Sequence, residues 1–213
     1  MVKTSNAPVY ASVPRSWEGE TAVVLATGPS LCQADVDQVH GRARVLAIKD
    51  AIRLAPQADC WYGCDAKFWR HYGDQIHFTG PKYSLDPLAS KWAGVLRQTG
   101  FNGLELDPTG LRTGKHSGAQ AIGLAVHLGA KRIVLLGYDL QDGAKGETHF
   151  TKRPYSTSVS PYAAFLPWYE TAVAPLKQLD IQVINASRVS ALTTFPRMSL
   201  TDALRVGHID AAA

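Results

Sequence analysis

Cysteine is scarce in this chain, with three in 213 residues. That is too few for a disulfide framework. A chain of this length buries roughly 70% of its unfolded surface and needs no such staples. Long apolar runs are also missing. No stretch approaches the ~20 apolar residues of a membrane-spanning helix, and Met1 to Pro14 lacks the apolar stretch of a signal peptide. These absences make the cytoplasm the expected location. Charge is modest at 19%, and 22 Lys and Arg against 18 Asp and Glu leave +4. The excess is scattered, with no basic run longer than two residues. It suits a small anionic ligand. It argues only weakly for nucleic acid, which stays admitted as a partner.

Hydrophobic residues make up 46%, an ordinary globular share. There is no internal repeat and no low-complexity tract. The length suggests one domain over residues 18–207. An extended arm is expected over residues 1–17, broken by Pro8 and Pro14, and a disordered tail over 208–213.

Short apolar runs alternate with helical stretches. Thr21–Ala26, Arg44–Ile48, Asp59–Cys64, Ile133–Leu136 and Ile181–Ile184 read as buried strands. Helices are expected after Ser30 through Val39, around Lys67 to Tyr72, over Ser117–Leu128 and over Pro161–Leu179, the last kinked or split by Pro167 and Pro175. Continuous apolar strands separated by helices indicate an α/β fold, a single doubly wound and mostly parallel sheet of Rossmann-like type. In such folds ligands bind outside the carboxyl ends of the strands.

That rule selects the candidates. Thr27-Gly28-Pro29-Ser30 turns out of the first strand; Gly28 admits close backbone approach, and Ser30 offers a hydroxyl and an N–H at an expected helix start, an address for phosphate. Lys115-His116-Ser117-Gly118 opens a second helix, with Ser117 as the expected N-cap. Lys49, Asp65, Asp139 and Asn185 each follow a strand. Asp139 suits ribose hydroxyls or a divalent metal. His149, in a polar loop, is the candidate general base. His127 reads as a cap at a helix end. Cys60 and Cys64 read as core, and so do Trp61, Phe68, Trp69 and Tyr72, with base stacking the alternative for the aromatics.

In order along the chain, Gly28-Pro-Ser-Leu31, Ser117-Gly118, Leu128-Gly129 with a basic pair, and Ile133-Val-Leu-Leu-Gly-Tyr-Asp139 resemble a known group. They look like the family 42 bacterial sialyltransferases. They look equally like the motility-associated glycosylation factors and archaeal hydroxymethylpterin pyrophosphokinase, and bacteriophage and prophage proteins carry a similar pattern. The resemblance spans Thr21 to Leu192. It implies a Rossmann-like nucleotide site, which in the sialyltransferases holds a cytidine nucleotide without a metal. The sialyltransferases place Asn where Lys49 and Asp65 fall here, and Tyr where Gln141 falls. Their catalytic histidine has no counterpart in residues 155–162, so the resemblance leaves that role to His149.

The leading expectation is therefore a nucleotide-sugar-dependent glycosyltransferase. The donor phosphate would rest on the two glycine loops. His149 would be the base, with Asp65 the other candidate, and no cofactor is needed. The alternatives are a phosphoryl or pyrophosphoryl transferase, with magnesium on Asp65 and Asp139, and a non-catalytic nucleotide-binding module. The acceptor is unspecified, and a homo-oligomer is admitted.

Overall fold

Branched and apolar residues without a break, as in Thr21–Leu25, must bury both of their faces, and the sheet is built from such runs. The computed structural model describes residues 9–155 and 160–205. Strand β1 (Thr21–Leu25) leads through helix α1 (Gln33–Val39) to β2 (Arg44–Ile48), then β3 (Cys60–Tyr62), α2 (Ala66–Tyr72), β4 (Lys82–Ser84) and β5 (Gly94–Val95). Two short strands, β6 (Arg97–Gln98) and β7 (Gly110–Leu111), pair with each other. Then come α3 (Ser117–Leu128), β8 (Arg132–Leu136), α4 (Tyr162–Gln178), β9 (Gln182–Asn185) and α5 (Leu200–Arg205).

The main sheet has seven strands in the order β5-β4-β3-β2-β1-β8-β9, and its paired strands all run parallel. Along β1 the side chains alternate between two cores. Ala22 and Val24 face α3 and α4. Val23 and Leu25 face α1, α2 and α5. The expected doubly wound α/β sheet is what forms.

Four local readings change. Helix α1 begins at Gln33 with Cys32 at its N-cap, so Ser30 does not start it. Helix α3 is capped by His116 rather than Ser117. Helix α4 is not split at Pro167 or Pro175 and continues from Tyr162 to Gln178. His127 is not a helix cap; it is buried and bonds through Nε2 to the Gly110 carbonyl at 2.9 Å.

From Ala11 to Trp17 the chain is tied to the body, Ala11 by its amide to the Val95 carbonyl. Val13 and Trp17 are buried, and their amides donate to the carbonyls of Pro108 and Leu128. The tail expected over residues 208–213 lies outside the described residues.

Candidate functional site

Strand order reverses beside β1. The chain lays β2 to β5 on one side of it, and α3 then returns it to β8 on the other. Loops leaving two such neighbours diverge and open a crevice at the carboxyl ends of the strands. A cavity of about 640 Å3 lies there.

The cavity brings together most of the residues chosen from sequence. Thr27, Gly28, Lys49, Asp65, Lys115, His116, Ser117, Gly118, Asp139 and His149 all line it. Pro29, Ser30 and Asn185 do not. Asn185 is fully buried; its amide donates to Ser190 Oγ and the Leu192 carbonyl and accepts from the Ser187 N–H, bracing the turn after β9.

The first glycine loop is occupied by the protein itself. Ser30 donates its N–H to Asp139 at 2.8 Å and its hydroxyl to the other carboxylate oxygen at 2.6 Å. A Cβ on Gly28 would lie 2.4 Å from Asp139 Oδ1 and 2.5 Å from the Gly137 carbonyl oxygen. Close packing of the β1 and β8 loops therefore requires this glycine, before any phosphate does. Burial pushes the Asp139 carboxyl up, although the two Ser30 donors oppose the shift.

The second loop is held by α3 and its neighbours. Gln120 accepts from the Tyr62 phenol and donates to the Thr113 carbonyl, tying the loop to β3. Gly114 and Lys115 both adopt positive φ, and a Cβ on Gly114 would meet Ala119 and Trp168. The His116 ring stacks on Phe165 with centroids 4.4 Å apart. Its Nδ1 accepts the Ala119 N–H at 3.4 Å, which assigns the ring proton to Nε2. That Nε2–H is buried and has no partner among the described residues. Burial drives the imidazole down to about 3, so the ring is neutral.

Asp65 caps α2 by accepting the Phe68 N–H at 3.0 Å and pairs with Lys49 at 2.5 Å. Burial alone would raise its pKa; Lys49 and the hydrogen bonds hold it below the ordinary value. The Asp86 carboxylate accepts the N–H groups of Ala66 and Leu88.

In this structure His149 is not a free imidazole. Its Nδ1 faces Thr27 Oγ1 at 3.2 Å, and its Nε2 lies 2.7 Å from a terminal nitrogen of Arg153. A guanidinium only donates, so Nε2 must offer its lone pair to Arg153. Burial first, then the charges of Arg153 and Lys49, pull the ring down to about 3. The histidine is neutral, but its lone pair is engaged. Asp65, the second catalytic candidate, is committed to Lys49 in the same way.

No family model matches the sequence, and neither does any curated relative. Two solved structures do match. One is the MAf glycosyltransferase from Magnetospirillum magneticum AMB-1, at TM-score 0.58 and 11% identity, covering 90% of this chain and 36% of that one. The other is the sialyltransferase CstII from Campylobacter jejuni in complex with a substrate analogue, cytidine-5'-monophosphate, at TM-score 0.51 and 14% identity, covering 85% of this chain and 86% of that one. The chain has the fold of these two glycosyltransferases. It spans about a third of the length of the MAf enzyme. The fold implied by the sequence resemblance is thus the one observed.

Sequence reasoning missed Arg153, Tyr155, Phe165 and Lys67, which all line the cavity. None follows a strand, and only the basic pair Lys152-Arg153 marked the segment. Asp50 does follow a strand, but its position behind Arg153 is set by tertiary packing. The aromatics Trp61, Phe68, Trp69 and Tyr72 are buried away from the cavity and belong to the core, which removes base stacking from their roles. Cys60 is core, whereas Cys64 is half-buried and reaches the cavity wall.

Proposed function

We propose that the cavity holds a nucleotide-sugar donor and that the protein is a glycosyltransferase. The observation that carries this reading is the Nε2–H of His116, buried without a partner at the N-terminus of the twelve-residue helix α3. An unpaired buried donor costs about 1–3 kcal/mol, and a ligand oxygen removes that cost. The helix end favours an anion, and the exposed Lys67 and Lys115 line the same cavity, Lys115 with its ammonium 5.9 Å from the centre of the Phe101 ring. A phosphate-linked sugar would place its leaving group among these cations. The bond from the anomeric carbon to the phosphate oxygen breaks as the acceptor oxygen bonds to that carbon, the acceptor's hydroxyl proton passes to the departing phosphate, and the remaining phosphate charge meets donors already in position.

The magnesium-dependent alternative fits poorly. It needs free oxygens on Asp65 and Asp139, which are committed to Lys49 and to Ser30. A different observation favours the non-catalytic nucleotide-binding reading: the lining carboxylates Asp65, Asp86 and Asp139, and both ring nitrogens of His149, already have protein partners. Turnover separates the two.

The test is a melting-temperature screen of nucleotides, followed by incubation with the corresponding nucleotide sugar. Glycosyl transfer predicts that one nucleotide class raises Tm by mass action and that its sugar conjugate is consumed equally well with magnesium or with EDTA. Binding without consumption assigns a binding module. A screen in which no nucleotide shifts Tm overturns the reading.

A further inference from the structure

Arginine carries five N–H donors in a rigid plane. In Arg153 three of them are used inside the protein. Nε donates to Asp50 Oδ2 at 3.0 Å, one terminal nitrogen to His149 Nε2 at 2.7 Å, and the other to Thr27 Oγ1 at 2.6 Å. One N–H is left on each terminal nitrogen, and neither has a partner among the described residues. The guanidinium lines the cavity while its side chain is only 11% exposed.

The group is braced from behind. Asp50 is fully buried, and its Oδ2 also accepts the Tyr155 phenol. The guanidinium is held in plane by three partners and keeps two unused N–H groups, which an anion oxygen in the cavity can meet by charge-assisted hydrogen bonds. Asp50 offsets its charge. Long-range attraction falls to the exposed Lys67 and Lys115.

We propose that Arg153 is the residue that receives the phosphate of the donor through its unused N–H groups, and that His149 and Thr27 aim it. This rests on the nucleotide-sugar reading above and reverses the roles expected of the loop. The histidine becomes a positioning residue, and the arginine meets the ligand.

The guanidinium would equally match the carboxylate of an acidic sugar, so the experiment carries both chemistries. Calorimetry compares nucleosides, their 5'-monophosphates, inorganic pyrophosphate and glucuronate. The protein is studied as the parent, as Arg153→Lys and as the double variant Asp50→Asn/Arg153→Met. Arg153→Lys keeps a cation beside Asp50, and the double variant leaves no unpaired buried charge, so at least one folded variant is available. In the parent, the monophosphate should bind at least tenfold more tightly than its nucleoside. In the variants that preference should fall below about threefold while nucleoside affinity is unchanged.

A preference that survives in a folded variant overturns the proposal. Equal binding of nucleoside and monophosphate by the parent overturns it too, yet leaves the nucleotide reading standing. Pyrophosphate bound through Arg153 with no nucleotide bound upholds the clamp and removes the nucleotide. Loss of glucuronate binding alone shows that the anion is a carboxylate, against the phosphate assignment. A parent that binds none of the probes defeats both.

Discussion

Ser30 gives its backbone N–H and its hydroxyl to the two carboxylate oxygens of Asp139, at 2.8 and 2.6 Å. The turn after β1 therefore already holds an anion, supplied by the loop after β8. Any phosphate in the cavity must look to the α3 side and to Arg153.

The first prediction follows from that packing. A side chain at Gly28 runs into Asp139 and Gly137, so Gly28→Val should destabilise the whole protein by about 1–3 kcal/mol, the usual cost of overpacking. Urea unfolding checks this. A variant of parental stability that had merely lost nucleotide binding would show that the position serves the ligand instead.

Much of the architecture was legible in the residues. Arg44–Ile48 and Ser117–Leu128 form over the ranges their patterns predict, because apolar continuity and a helix-ending Gly129 are local signals. The two-residue strands β5, β6 and β7 carry no such signal and exist only through their partners. The site was half legible. Residues at strand ends are found by topology, which brings Thr27, Lys49, Asp65 and Asp139 to one cavity. Their partners are not. The pairing of Ser30 with Asp139 spans 109 residues, and that of Arg153 with Asp50 spans 103. Those long-range bonds decide whether a carboxylate or an imidazole is free to act.

Lys49 should control the titration of Asp65. Burial raises this carboxyl and Lys49 lowers it. In Lys49→Met the Phe68 hydrogen bond and the charge of Arg153 still lower it, but both contributions of Lys49 are gone, and Asp65 should titrate higher than in the parent. Side-chain NMR across acidic pH reads the change directly. With the folded pKa depressed, the parent pair stabilises above the unfolded carboxylate pKa near 3.9 and loses that contribution as pH falls through the folded value. Asp65 is 39% exposed, so solvent keeps the contribution small. An unmoved titration in Lys49→Met would break the assignment.

His116 and His149 are both pulled to about 3 by burial. Their unfolded pKa lies near 6.5. Below that pH the unfolded chain takes up protons that the native rings refuse, so stability present above pH 6.5 is lost as pH falls toward 3. With both rings refusing a proton, their share of the slope approaches two protons, at about 1.4 kcal/mol per pH unit for each; His127, also pulled down by burial, adds to it. Urea unfolding at several pH values between 4.5 and 7 measures it, and His149→Gln should remove about one proton from the uptake. The same neutrality means that turnover, once measured, shows no limb near 6.5 from His149. A slope that His149→Gln leaves unchanged would mean the ring titrates normally.

The last prediction concerns the segment that carries His149 and Arg153. Asp50 is fully buried and anchors this segment by accepting from Arg153 Nε and from the Tyr155 phenol. Removing one partner of a buried ion pair leaves the other uncompensated, which typically costs about 3–5 kcal/mol. In Asp50→Ala the cheaper response is local, because Arg153 can leave its place and hydrate if the segment lifts away from the cavity. Local opening of this kind is read by proteolysis. Trypsin cuts after Lys152, and the bond after Arg153 is shielded by Pro154. The parent should resist at Lys152, and Asp50→Ala should be cleaved there many times faster while the rest of the chain stays intact. Tyr155→Phe, which removes one hydrogen bond and no charge, should fall between the two. Cleavage of parent and Asp50→Ala at equal rates would show that Asp50 does not hold this segment down, and the aim it gives Arg153 would need another source.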